Sequence, residues 1–154
     1  ALNEYAPLGT EASVTNTATV SGTGITPVTA AETVNAEAAP NLAITKSVSP
    51  VPVTENGTLT YTFRIQNYGS VAATNTTGVV ITDTFAPVLS NLTAALNGTA
   101  WTAATDYTYN EATGTFSSTA GAITVPAATY TQDSTTGAWV VTPGESTLVI
   151  TGTV

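Results

Sequence analysis

Three polar side chains fall on otherwise apolar faces of predicted β-strands. Residues two apart along a strand point to the same face of a sheet. By this rule Lys46, Asp83 and Asn16 each share a face with aliphatic residues. Those neighbours are Leu42, Ile44 and Val48 for Lys46, Val79 and Ile81 for Asp83, and Val14, Ala18 and Val20 for Asn16. A lysine, a carboxylic acid and an asparagine in an apolar setting are the groups that an isopeptide bond requires.

The chemistry of such a bond follows from burial. An apolar setting disfavours the charged ammonium, so a buried Lys46 becomes an amine able to attack the side-chain amide of Asn16. Asp83 would act as acid and base, protonating the amide oxygen and passing the proton to the departing ammonia. The alternative is a buried ion pair of Lys46 and Asp83, with Asn16 hydrogen-bonded to either residue or to the backbone. The residues alone leave both interpretations open.

The sequence lacks the residues that other kinds of catalysis commonly use. The chain has no histidine and no cysteine, and it has no glycine-rich phosphate loop. Asp106, Glu111 and Asp133 do not have the spacing of a calcium loop. We therefore predict no enzyme beyond a single autocatalytic turnover, no cofactor and no metal site.

Composition indicates the fold class. The 154 residues are 42% hydrophobic and only 8% charged. Threonine, valine, isoleucine and tyrosine, which suit half-buried pleated surfaces, are abundant, and helix formers are scarce. The length allows one domain, with or without an extended arm. We therefore predict an all-β protein.

Charge and hydropathy exclude two classes of partner. The chain has ten acidic residues and only two basic ones, Lys46 and Arg64, which gives a net charge of -8. A basic patch for nucleic acid or for an anionic membrane surface is not possible. No apolar run approaches the roughly 18 to 20 residues that span a bilayer, so we predict no membrane insertion.

The first 40 residues form a unit distinct from the rest. Residues 1–11 have little periodicity and are predicted to be an arm. Residues 12–36 are predicted to be a β-hairpin, because two alternating runs flank a turn that contains Gly22 and Gly24. Residues 37–40 form a linker that ends in Pro40. A lone hairpin is marginal in water and must pack on something.

Residues 41–154 contain short alternating runs separated by turn signals, which is the pattern of a β-sandwich. The strongest alternation is that of Leu59, Tyr61, Phe63 and Ile65, and it leaves Arg64 on the solvent face. The other strands are predicted near residues 42–48, 79–83, 89–96, 107–109, 115–117, 123–125, 129–131, 138–141 and 147–154.

Five motifs in this region resemble a known family. They are Asn41-Leu42-Ala43-Ile44-Thr45-Lys46, Thr58-Leu59-Thr60-Tyr61-Thr62-Phe63, Gln66-Asn67-Tyr68-Gly69, Val79-Val80-Ile81-Thr82-Asp83-Thr84-Phe85 and Pro143-Gly144-Glu145. Together they resemble the repeat domain catalogued as domain of unknown function 11, found in tandem in prokaryotic cell-surface proteins. The resemblance covers most of residues 12–154. It implies an immunoglobulin-like antiparallel β-sandwich that serves as an extracellular building block.

One part of the family pattern is displaced. In the family, a strand containing Asn-Thr-Ala-Thr-Val comes near the end of the domain, whereas here Asn16-Thr17-Ala18-Thr19-Val20 lies near the start. Residues 41–154 are therefore predicted to form an incomplete sandwich with an open edge and an uncovered groove. The hairpin is the missing piece.

The hairpin can complete a sandwich in two ways. It can fold back on its own chain as a circularly permuted monomer. It can instead complete a neighbour by donor-strand complementation, a head-to-tail contact that grows into a fibre. We favour the second, because the linker before Asn41 is short and stiff for a reversal. A third possibility is that the chain is one repeat of a tandem protein, which would show the same order of strands.

These observations predict a structural subunit of an extracellular filament, located on the cell or spore surface of a bacterium or archaeon. Its partners would be identical subunits, bound through Val14, Asn16, Ala18 and Val20. A Lys46–Asn16 isopeptide bond would resemble the crosslinks of bacterial pilins and adhesins. The alternative function is a stalk or adhesin module that binds a carbohydrate or a protein.

Overall fold

The computed structural model describes residues 12–36 and 38–154, so the predicted arm at residues 1–11 lies outside the described residues. The described part is built of twelve strands and one 3-10 turn at Asn75–Thr77. Within it, no helix is long and apolar enough to cross a bilayer. The strands are β1 (Ala12–Gly22), β2 (Ile25–Ala36), β3 (Leu42–Ser49), β4 (Thr58–Asn67), β5 (Thr82–Thr84), β6 (Ser90–Leu96), β7 (Thr99–Ala100), β8 (Tyr107–Asn110), β9 (Thr115–Ser118), β10 (Thr129–Gln132), β11 (Trp139–Thr142) and β12 (Gly144–Thr153).

The strands form two facing sheets and two separate hairpins. One sheet has five strands in the order β3-β4-β12-β6-β7, and the other has three in the order β5-β9-β8. The hairpins are β1-β2 and β10-β11, and every ladder between strands is antiparallel. The prediction of an all-β antiparallel sandwich with an N-terminal hairpin is confirmed.

The core lies between the two sheets and follows the alternation of the sequence. In β4 the odd-numbered residues are buried while Arg64 is exposed, as the sequence predicts. The central neighbour β12 contributes Leu148 and Ile150, and the opposite sheet contributes Phe116 and Tyr107. The buried side chains of β4 are Leu59, Tyr61, Phe63 and Ile65.

Two strand predictions need correction. Residues 123–125 form no strand. Ile123 and Val125 are buried in a loop, where Val125 shares a single bridge with Ala73. A three-residue apolar run cannot be distinguished from a buried loop by periodicity alone. The strand predicted at residues 79–83 begins only at Thr82 and ends at Thr84, although Ile81 already exchanges hydrogen bonds with Ser118.

Asn67 organises the end of the sandwich where β3 begins. Its side chain is fully buried. Its carbonyl oxygen accepts hydrogen bonds from the backbone N–H groups of Asn41 and Gly69, each at 2.9 Å. Its amide nitrogen donates to the carbonyl oxygens of Val71 at 2.8 Å and Pro126 at 3.0 Å. One side chain therefore joins three segments of backbone, at Asn41, at residues 69–71 and at Pro126, which gives the Gln66-Asn67-Tyr68-Gly69 motif a structural role.

Replacing Asn67 by alanine should lower the free energy of unfolding by about 2 to 4 kcal/mol, because it leaves buried backbone groups without partners. Urea unfolding followed by tryptophan fluorescence measures the loss. The matched control is Gln66→Ala, one residue earlier and only half-buried, for which we expect a much smaller change. Equal losses for the two variants would contradict this role for Asn67.

Candidate functional site

Strand β3 is an edge strand whose core-directed face is uncovered. In register with β4, Ile44 lies opposite Ile65, Lys46 opposite Phe63 and Val48 opposite Tyr61. Directly opposed residues point to the same face of a sheet, so this face of β3 continues the core face of β4. Nevertheless all eight residues of β3 are exposed. The exposed fractions are 37% for Leu42, 53% for Ile44 and 39% for Val48.

The cause is a difference in the number of strands between the two sheets. The five-stranded sheet faces a sheet of only three strands, in which β5 is an edge and pairs with β9 alone. Asp83 on β5 lies beside Lys46 on β3, so the open edge of β5 borders the uncovered face of β3. We call this space the β3–β5 groove. It is bounded by one unpaired strand edge and by a strip of exposed aliphatic side chains.

A single ion pair spans the β3–β5 groove. The Lys46 ammonium donates a hydrogen bond to Asp83 Oδ2, and Asp83 Oδ1 accepts from the N–H of Thr84 at 2.9 Å. Three aromatic rings surround the ammonium, with Nζ at 4.9 Å from the ring centroid of Tyr61, 5.3 Å from that of Phe85 and 5.4 Å from that of Phe63. Such rings attract a cation through their negative faces.

The burial expected for this pair is not present in the single chain. The Lys46 side chain is 41% exposed and the Asp83 side chain 18% exposed. Water therefore reaches the ammonium, and the contact is a partly exposed ion pair rather than the buried one of the sequence alternative. The inward direction of Lys46 was predicted correctly, but no layer in the described part of the chain covers it.

The hairpin β1-β2 has an apolar face that is also uncovered. Its register pairs Val20 with Val28, Ala18 with Ala30 and Asn16 with Glu32. Val20, Val28 and Val34 are 67%, 65% and 63% exposed. The opposite face carries threonines, among them Thr15 and Thr33, whose hydroxyls are hydrogen-bonded at 2.8 Å. The face predicted to be the donor interface thus packs against nothing in the described part of the chain.

The predicted crosslink residues are brought together only in part. Lys46 and Asp83 meet, whereas Asn16 lies on the hairpin, which shares no strand with either sheet of the sandwich. Among the described residues no hydrogen bond joins Asn16 to Lys46 or Asp83. Of the predicted donor residues, Asn16, Ala18 and Val20 are exposed, and the side chain of Val14 lies outside the described residues.

Sequence reasoning missed Glu32 and the aromatic rings around Lys46. Glu32 is the only charged residue between Ala12 and Ala36. Counting back from the Gly22–Ile25 pair would have placed Ala31 opposite Asn16, and the register shift between Val20 and Gly22 brings Glu32 there instead. The rings could be found only in part, because Phe85 lies beyond the end of β5 and reaches the ammonium through the tertiary fold.

The weaker candidates have structural roles. Tyr107 is buried and stacks on Phe116 and Trp101, with centroids 5.3 Å and 6.5 Å apart, so these rings form no exposed platform for a sugar. Asp133 closes the turn between β10 and β11, where hydrogen bonds from the N–H groups of Thr136 and Thr135 lower the pKa of its carboxyl. No group of three or more possible metal ligands occurs in the part of the chain that the structure describes.

Comparisons with protein-family models, with curated proteins and with solved structures find no match for this chain. The resemblance to the cell-surface repeat family therefore stays a prediction from the sequence motifs.

Proposed function

We propose that the protein is a structural subunit of an extracellular filament, assembled head to tail when the hairpin β1-β2 of one subunit fills the β3–β5 groove of the next. The observation that carries this proposal is the match of two uncovered surfaces. One is an apolar groove with an unpaired strand edge, and the other is a hairpin with one apolar face. The apolar face of the hairpin would cover the apolar side chains of the groove, and the hairpin backbone would pair with the free edge of β5.

The count of strands supports the match. Two strands added beside β5 would extend the three-stranded sheet to five, equal in number to the sheet that it faces. The backbone edge of β5 would gain hydrogen bonds, and the apolar face of the hairpin would lie over β3. Each valine so buried contributes about 1.5 to 3 kcal/mol before the entropy of association is subtracted.

The linker favours a neighbouring subunit over the same chain. Strand β2 runs to Ala36, and Ala39 already packs on the end of β4. There a Cβ on Gly69 would clash with the Ala39 carbonyl oxygen. Asn41 is held by Asn67. The chain from Ala39 to Asn41 is therefore held at the sandwich, and Pro40 restricts the backbone of the residue before it.

Donation to a neighbour produces a polymer. The hairpin and the groove are different surfaces, so the contact is heterologous, and each bound subunit still offers a free groove or a free hairpin. Such a contact grows into a fibre unless it closes into a ring. The partner is thus a second copy of this chain, and the proposed location is the surface of a bacterial or archaeal cell or spore.

A covalent crosslink is the second element of the proposal. A docked hairpin would exclude water from Lys46 and Asp83 and bring an asparagine to the same side of the sandwich. The reaction joins Lys46 Nζ to Cγ of the neighbour's Asn16, breaks the Cγ–Nδ2 bond and releases ammonia. Asp83 passes two protons in turn, the first from the Lys46 ammonium and the second from the attacking nitrogen, to the leaving nitrogen, so that the ammonia leaves as ammonium. The filament would then be covalently continuous.

Negative-stain microscopy and size-exclusion chromatography of the purified chain test assembly. We expect fibres of uniform width and a mass that grows with protein concentration, because a head-to-tail contact is concentration-dependent. A stable monomer at all concentrations, with the hairpin protected from proteases, would instead indicate a permuted monomer or a stalk module and would overturn the filament proposal.

A further inference from the structure

The apolar face of the hairpin carries one polar pair, Asn16 and Glu32. These residues are directly opposed in register, so their side chains lie side by side. Alanines and valines follow on either side of them along the same face. No other charged residue occurs in the hairpin. The hairpin face that would be buried is therefore apolar except for the pair of Asn16 and Glu32.

The β3–β5 groove has the same pattern. Its only charged pair is Lys46 and Asp83, and the side chains beside Lys46 on the same face of β3 are the exposed Ile44 and Val48. A lysine ammonium has three N–H donors, of which Asp83 takes one. Among the described residues no second hydrogen-bond acceptor of the Lys46 ammonium is found.

We propose that Asn16 and Glu32 of one subunit sit on Lys46 and Asp83 of the next, and that this contact sets the register of donor-strand docking. The Glu32 carboxylate and the Asn16 carbonyl oxygen accept hydrogen bonds from the Lys46 ammonium, and the Asn16 amide donates to a carboxylate. This inference rests on the proposed filament function and names the residues that select one docked arrangement among several.

Burial selects the register. A slip of one residue turns the threonine face of the hairpin toward the core. A slip of two residues keeps the apolar face inward but moves Asn16 and Glu32 away from the groove's ion pair. Lys46 and Asp83 would keep each other as partners, but Glu32 would be buried against aliphatic side chains without one. A buried charge without a partner is strongly unfavourable, so the register that places Glu32 on Lys46 is favoured.

The net charge of the subunit adds a second argument. A chain of charge -8 repels its own copies, and the contact surface contains one of only two cations in the sequence. Placing Glu32 against Lys46 gives the contact a local attraction between subunits that otherwise repel one another. Charge complementarity of this kind improves the specificity of docking as well as its strength.

A charge-swap experiment on the full chain tests the contact. Glu32→Lys brings a second cation to Lys46, and Lys46→Glu brings a third carboxylate to the cluster. Each single variant should raise the critical concentration for assembly about tenfold or more, as expected for the loss of one charge pair. The double variant Glu32→Lys with Lys46→Glu restores opposite charges across the interface and should recover most of the assembly. Sedimentation of polymer from monomer over a concentration series gives the critical concentration.

Thr33→Lys is the matched control, because it adds the same cation one residue away on the opposite face of the hairpin. We expect it to assemble as the unaltered chain does. If Lys46→Glu by itself unfolds the sandwich, Glu32→Gln, Lys46→Gln and their combination provide the same test. For residues in contact the combined effect is smaller than the sum of the two, and for separate residues it equals the sum.

Two results would overturn the inference. One is assembly of Glu32→Lys at the concentration of the unaltered chain, and the other is additive behaviour in both double variants. Either result, with filaments still formed through the hairpin, rejects this register and leaves the filament function standing. Absence of filaments from the unaltered chain would reject the filament function itself.

Discussion

Replacing Val20 and Val28 together by aspartate should abolish filament formation. The two valines are a cross-strand pair on the apolar face of the hairpin, and they are 67% and 65% exposed in the single chain. Two carboxylates there would be buried in the neighbour's groove without partners, at a cost that exceeds what the remaining contacts contribute. Negative-stain microscopy should show no fibres, and sedimentation should give a monomer.

The matched control is Thr19→Asp with Thr29→Asp. These threonines are also a cross-strand pair, next to the first pair but on the opposite face. Net charge and hairpin position change equally in the two double variants, so only the face differs. We expect the threonine variant to form filaments. Loss of filaments in both variants, or in neither, would show that the apolar face is not the one that docks.

Assembled filaments should give a ladder of covalent oligomers in SDS. An isopeptide bond between Lys46 and the neighbour's Asn16 would survive boiling, whereas a donated hairpin held by hydrogen bonds alone would not. Each bond lowers the mass by about 17 Da, the mass of the ammonia released by amide transfer. Intact-mass spectrometry of the dimer band gives the loss, and peptide mapping identifies the two joined residues.

The variant Lys46→Arg removes the crosslink while it keeps the positive charge that the fold contains at this position. A guanidinium keeps the positive charge beside Asp83 and the contact with the rings, but it stays protonated and is not a nucleophile at neutral pH. This variant should form filaments that dissolve to monomers in SDS. If unaltered filaments also dissolve to monomers of the full sequence mass, the crosslink is excluded. The contact at Lys46 and Asp83 is then non-covalent.

Much of the local structure is determined by alternation in the sequence. The period of two in β4 predicts which side chains are buried, because successive side chains of a strand point to opposite faces of the sheet. The same period places Lys46 with Ile44 and Val48, and Asp83 with Ile81, on faces directed to the core. Glycines between two alternating runs likewise predict the hairpin. These signals are local, so they survive without knowledge of the fold.

Other features depend on contacts between distant segments. The loop that contains Ile123 and Val125 resembles a strand in sequence. Only the tertiary structure shows that these residues pack in the core without forming a strand. The four hydrogen bonds of Asn67 join segments up to 59 residues apart, and no local pattern encodes them. Its burial is a property of the assembled loops.

For the groove itself, the sequence determined that a lysine and an acid face inward and that a strand-forming hairpin precedes the sandwich. Only the tertiary structure decided that Lys46 and Asp83 form one ion pair and that β3 lacks a cover. It also decided that Asn16 stands beside Glu32 on an exposed face. The physical reason is that strand faces follow from the chain's own period, whereas burial and pairing depend on which sheet lies opposite and on how many strands it has.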